Sequence, residues 1–185
     1  MLKFICTVIE QKLLKGKVVV AIDGRAGGGK STLARLIADR FGGRIVHMDH
    51  FFLPPEKRTQ ARLDFPGGNI DSERFLEEVA PHLRDSYPEY WAFDCHTNQY
   101  YSVKLLNQPL TIVEGTYSHH PRLEHLYDLK IFVDVAPEIQ AKRITERDGD
   151  YAQVFFDKWI PLEEKYFSSF EIQKNSHITY NTGEE

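Results

Sequence analysis

Residues 17–41 constrain this chain more than any other stretch. Lys17–Ile22 (KVVVAI) is a run of β-branched residues with little polar alternation, as expected of a strand buried on both faces. Ser31–Phe41 sets Leu33, Leu36, Ile37 and Phe41 near one face at helical spacing, and Gly42-Gly43 ends the pattern. Between them stands Gly24-Arg25-Ala26-Gly27-Gly28-Gly29-Lys30-Ser31, followed by Thr32. It matches G-x-x-x-x-G-K-[ST] in full, in the strand-to-helix context that gives this motif meaning. Glycines let the backbone wrap so that successive N–H groups converge on an anion, and the helix beyond adds the positive end of its dipole. The motif therefore predicts a loop that cradles nucleotide phosphates. In it Lys30 follows the β- and γ-phosphates as a mobile cation, and the Ser31 hydroxyl completes a Mg²⁺ shell.

Composition bounds the rest. A chain of 185 residues with 42% apolar and 27% charged side chains is one domain's length and too apolar for a disordered protein. The 23 Lys+Arg against 27 Asp+Glu leave a net charge of −4, which argues against wholesale binding of nucleic acid or of an anionic membrane. No apolar run approaches a membrane span. Cys6 and Cys95 are too few for a disulfide scaffold and suggest a reducing compartment. Leu2–Ile9 mimics a short signal-peptide core, but charge returns from Glu10 to Lys17 with no small-residue cleavage site, so a cytoplasmic protein is expected.

Beyond the loop, short apolar runs alternate with helical patterns, the mark of parallel βαβ units. Arg44–Met48, Leu110–Val113 and Leu129–Val133 read as strands, and His177–Tyr180 as a weaker fifth. Asp71-Ser72-Glu73 reads as a cap and acidic first turn, ahead of a buried stripe of Phe75, Leu76, Val79 and Leu83. Pro137 suits the first position of a helix running to about Arg147, and Pro161 marks a kink or restart within Tyr151–Lys174. The long insert between the second and third strands, about 49–109, is rich in rings: Tyr87, Tyr90, Trp91, Phe93, Tyr100 and Tyr101. An insert at the carboxyl end of a strand is where an α/β domain builds its substrate site, although several of these rings also suit the core of a hairpin.

Two acids sit just past strand ends, Asp49 and Glu114. Mg²⁺ takes one or two carboxylates beside phosphate oxygens, and a second acid can accept the proton of an attacking hydroxyl. Gly115 lets the backbone pass close to a ligand. Arg143 and Arg147 lie one helical turn apart, either closing over a transferring phosphoryl group or standing on a solvated face. His119-His120 lacks companion ligands for a metal. Lys57, Arg58 and Arg62 form a small basic run that reads as surface or as an anion site.

Taken in order, several motifs resemble the uridine kinase family, within the nucleoside-monophosphate-kinase-like phosphate-loop kinases. They are Ile22-Asp23-Gly24 to Ser31, His47-Met48-Asp49-His50-Phe51-Phe52, Leu63-Asp64-Phe65-Pro66, Phe93-Asp94, Val113-Glu114-Gly115 and the Arg143–Arg147 helix, spanning about Val18 to Phe167. The resemblance implies a three-layer α/β domain over 1–185, with a five-stranded parallel sheet in the order 2-3-1-4-5, helices on both faces, and a lid at about 137–150. It implies ATP- and Mg²⁺-dependent transfer of the γ-phosphoryl group to the 5′-hydroxyl of a nucleoside such as uridine or cytidine. Gly24 to Thr32 would bind the nucleotide, Ser31 and Glu114 the metal, and Asp49 would be the base. Asp64 would grip ribose hydroxyls, Phe93, His96 and Tyr117 would line the acceptor, and Arg143 and Arg147 would be lid cations. The partner expected is a small molecule rather than a nucleic acid or membrane, and a homo-oligomer is left open. Two alternatives stay open: a kinase of another hydroxyl compound, pantothenate-like or a sugar phosphate, and a nucleotide-dependent regulatory ATPase.

Overall fold

The β-branched run at 18–22 becomes the middle of a parallel sheet, buried at every position. The computed structural model describes residues 1–84, 87 and 89–183. In chain order its first half runs α1 (Leu2–Leu13), β1 (Val18–Gly24), α2 (Lys30–Phe41), β2 (Arg44–His47), α3 (Gln60–Asp64), α4 (Ser72–Glu78) and β3 (Glu89–Asp94). It continues with β4 (Gln99–Lys104), β5 (Leu110–Glu114), β6 (Leu129–Val135), α5 (Pro137–Asp148), α6 (Ala152–Val154), α7 (Ile160–Ser169) and β7 (Ile178–Thr182). The main sheet is ordered β2-β5-β1-β6-β7, and β3 pairs with β4 in a separate two-stranded hairpin. The labels depart from the expected 2-3-1-4-5 because the hairpin takes two numbers. Counted within the parallel sheet alone, the strands stand second, third, first, fourth, fifth.

Register decides what meets at the sheet's carboxyl rim. His47 pairs with Glu114, Glu114 with Ile22, and Ile22 with Ile131, so one row crosses four strands. The residues just beyond that row, Asp23-Gly24, Met48-Asp49 and Gly115, therefore share one edge. Ligands of open α/β sheets bind at this edge.

Both faces are covered. α1 and α2 close one face, where Ile5, Ile9, Leu33 and Ile37 pack on Val18, Val20, Ile22, Leu110 and Ile112. The buried stripe of α2 is Leu33, Ala34, Ile37 and Ala38; Leu36, expected among them, is 50% exposed. At about 100° per residue Leu36 lies roughly 130° from the centre of the stripe, so Ala34 and Ala38 take the contact instead. On the other face Phe51, Phe75, Tyr117, Tyr166 and Phe167 pack on Val19, Val46, Val113 and Phe132. Asp71 caps α4 as its sequence predicts, accepting the Arg74 amide at 3.1 Å. α1 and the short α3 exceed the expectations, and the rings of the insert fall on a hairpin, the alternative that the sequence also offered for them. No described helix is long and apolar enough to cross a membrane.

Candidate active site

The phosphate loop leaves β1 at Gly24, whose φ of +141° and contact with β6 both exclude a side chain; a Cβ there would lie 2.0 Å from the Val133 carbonyl oxygen. Gly29, with φ of 93°, precedes α2. Lys30 Nζ donates to the Gly24 and Arg25 carbonyls at 2.8 and 2.9 Å, folded over its own loop. The next three carbonyls are engaged from outside the loop. Gln140 donates to Ala26 O at 3.0 Å, Arg143 to Gly27 O at 3.2 Å and Thr182 to Gly28 O at 2.8 Å. Carbonyl oxygens would repel a phosphate, so side chains of α5 and β7 hold them where they do no harm. Thr32 is exposed on α2.

Asp23 organises the loop from inside the protein. Fully buried, its carboxylate accepts the amides of Gly24 (2.7 Å), Tyr117 (3.1 Å) and His119 (2.8 Å) and the Tyr166 hydroxyl (2.8 Å). One side chain thus ties β1, the segment after β5, and α7 together. Asp23→Ala leaves these donors without an acceptor, at a cost of about 3–5 kcal/mol. Thermal denaturation should show the midpoint falling by roughly 10 °C; an unchanged midpoint would mean the network carries no stability.

The expected metal-binding pair is brought together. Ser31 Oγ donates to the buried Glu114 carboxylate at 3.2–3.3 Å, and His47 Nδ1 stands 2.5 Å from Glu114 Oε1. The bond to Glu114 raises His47 above the ordinary imidazole range, burial opposing it and the charges of Glu114 and Asp49 assisting. A hydroxyl and a carboxylate are hard oxygen donors that suit Mg²⁺. Among the described residues no group of three His, Cys, Asp or Glu could hold an ion alone, so an ion here would need a nucleotide's oxygens as well. Asp49 lies beside them: a Cβ on Gly115 would stand 3.3 Å from Asp49 Oδ1. The Asp49 side chain reaches solvent on the open side of the cleft. The protein crowded around its other sides, then the Glu114 charge, raise its carboxyl above the usual range, while Lys30, His47 and Arg147 hold it down.

The two arginines diverge. Arg143 reaches Gly27 and Thr182, whereas Arg147 is exposed, pairs with Asp148 at 2.8 Å and lies over the Phe155 ring. Arg147 nevertheless bears electrostatically on Asp49.

The acceptor residues expected from sequence are scattered. Asp64 is exposed at the end of α3, accepting from Gln60. Phe93 is buried and packs on Tyr100, a core position of the hairpin rather than a free stacking surface. His96 sits in the exposed hairpin turn, and Tyr117 is buried against Phe52 and Tyr166. Beside His47, a grouping that sequence did not pair joins His50 to two rings of the insert. His50 bridges two phenols, Nδ1 to Tyr90 and Nε2 to Tyr101, both at 3.1 Å. Burial, then the neighbouring His47, lowers His50 to about 4, so it is neutral at physiological pH. Its signal was present in the His47–Phe52 segment, but nothing in the spacing paired it with the hairpin.

The basic run is consumed internally. Lys57 faces Asp71 at 3.8 Å, Arg58 donates to Leu53 O and lies over Trp159, and Arg62 donates to Glu73, Gly68 O and Ile70 O. His119 and His120 are packed, His119 between Ala21 O and Ser176, and His120 against Tyr166.

No family model matches the chain. Curated relatives named uridine kinase do match it, among them these two. One, from Geobacillus kaustophilus (strain HTA426), is 29% identical over 175 residues, 89% of this chain and 81% of the relative. The other, from Clostridium botulinum (strain Kyoto / Type A2), is 27% identical over 146 residues, 73% and 70% of the two chains. The protein is a phosphate-loop kinase related to the uridine kinases. The kinase also shares its fold with solved structures. A "Possible Uridine Kinase" from Bacillus stearothermophilus superposes with a TM-score of 0.72 at 19% identity, covering 97% of this chain and 96% of that one. A candidate fructose transport system kinase from Silicibacter sp. TM1040 gives a TM-score of 0.73 at 20% identity, covering 97% and 98%. Kinases of this kind use ATP as donor.

Proposed function

We propose that this kinase transfers the γ-phosphoryl group of ATP to a hydroxyl of a small, uncharged metabolite, with a nucleoside 5′-hydroxyl as the acceptor. The observation that carries this is the meeting, at one sheet rim, of the phosphate loop, the Ser31–Glu114 pair and Asp49. Asp49 would take the proton from the acceptor hydroxyl as its oxygen bonds to phosphorus. Lys30 would exchange the Gly24 and Arg25 carbonyls for phosphate oxygens, and Arg143 and Arg147 would add positive charge as negative charge moves toward the leaving group. Ser31 and Glu114 would hold Mg²⁺, which when bound offsets phosphate charge.

The relatives' names favour a nucleoside, and His50 with the exposed Tyr101 ring, backed by the buried Tyr90, offers aromatic surface for a base. A phosphorylated acceptor fits poorly, since Lys57, Arg58 and Arg62 already have partners within the protein. A free sugar is the second reading, favoured by the candidate fructose transport system kinase among the structural neighbours. A coupled assay of ADP release across nucleosides, free hexoses, sugar phosphates and pantothenate separates them. A nucleoside should raise ADP release about tenfold or more over the basal rate. Stimulation by hexose alone would shift the acceptor to a sugar, and a rate indifferent to every compound would favour the regulatory ATPase.

A further inference from the structure

Glu163, on α7, is an acid that the transfer chemistry above does not use. It is only 6% exposed, and its Oε2 accepts the Ala26 amide at 3.0 Å. Ala26 is the third residue of the phosphate loop, and Gln140 of α5 holds its carbonyl. The Ala26 peptide is thus gripped on both sides, its N–H by α7 and its C=O by α5. The neighbouring residues of α7 reinforce the hold. Glu164 pairs with Arg25, which also meets Asp134, and Tyr166 donates to Asp23.

Charge makes this placement unusual, because a carboxylate stands behind a loop built to receive a polyanion. The groups that face it are Lys30 from α2, Asp23 from β1, Asp49 from the turn after β2 and Tyr117 from the segment after β5. On its own helix Glu164 and Tyr166 are engaged with Arg25 and Asp23. Burial pushes the Glu163 carboxyl up to about 7, with Asp23 and Asp49 adding to it and Lys30 and the Ala26 amide opposing. An arriving polyphosphate is a further like charge and draws the Lys30 ammonium toward itself, so both changes favour the neutral acid. A neutral carboxyl still accepts the Ala26 N–H through its carbonyl oxygen. Geometry survives protonation while the repulsion disappears.

We propose that Glu163 is a positioning residue of the phosphate loop, fixing the Ala26 peptide and linking nucleotide binding to the uptake of a proton by its carboxyl group. This rests on the phosphate loop's binding a nucleotide. Titration calorimetry of Mg·ADP at pH 7.5, in PIPES and in Tris, measures the protons taken up on binding. The nucleotide and the buffer contribute equally in wild type and in Glu163→Gln, so the difference between the two reads Glu163 and the groups coupled to it. The wild type should therefore take up about 0.3–0.5 proton more. The sign follows from an acid that is mostly ionised when free and less so when bound. Wild-type affinity should weaken as pH rises through 7 to 8, and the Gln variant should lack that component. Glu163→Ala, which leaves the Ala26 amide without its acceptor, should weaken Mg·ADP about tenfold. Glu163→Gln keeps an acceptor in place and stays informative if the Ala variant does not fold. Equal proton uptake by wild type and Glu163→Gln overturns the linkage, and unchanged affinity in a folded Glu163→Ala overturns the positioning. A wild type that does not bind Mg·ADP at all takes down the nucleotide reading together with this one.

Discussion

Replacing Lys30 with alanine should reduce turnover by about a thousandfold or more, because it deletes a positioned cation where negative charge shifts during transfer. The ammonium now rests on two carbonyls of its own loop, Gly24 and Arg25, contacts that a phosphate oxygen can replace at little cost. Its value to the fold is correspondingly small, since hydrogen bonds of this type contribute about 1 kcal/mol each. Saturating-substrate kcat, measured beside a denaturation curve, separates the two effects. A variant that is stable and turns over within tenfold of wild type would remove Lys30 from the transfer step.

Asp49→Asn should lower kcat by about a hundred- to ten-thousandfold, the range over which a positioned general base contributes. The amide keeps the size and shape of the carboxyl but cannot take a proton from the acceptor. ATP affinity, read by calorimetry, should stay within about threefold, because removing a negative charge beside the phosphate site and removing one that holds Lys30 nearby oppose each other. Unchanged kcat would leave Asp49 with an electrostatic role only. Selective loss of ATP binding would place it on the donor side.

Much of the donor side was legible because its residues are adjacent in the chain. A glycine loop between a β-branched strand and an amphipathic helix is a local pattern, and local patterns survive folding. The strand-end acids were legible for a related reason: the sheet's register carries every strand terminus to the same rim. Asp23 and Glu163 were not read as site residues, since a lone acid announces its burial only through partners far away in sequence. In Glu163 the remaining signal was an acid within the helical pattern of α7. The first helix is obscured because the apolar run Leu2–Ile9 resembles a leader, although Ile5 and Ile9 have the spacing of a buried stripe. The His50 cluster was hardest, because His50 meets Tyr90 and Tyr101 only after the hairpin folds back over the turn beyond β2. Pairwise meetings of that kind follow from tertiary packing, which periodicity does not encode.

The hairpin joins the protein through side chains, Tyr90 against Phe51 and His50 and Arg74 against Tyr100, and among the described residues shares no strand pairing with the parallel sheet. Such a ribbon can be resurfaced, shortened or extended without breaking a rung of the central ladder. Remodelling of this ribbon therefore leaves the seat of the phosphate loop mechanically undisturbed.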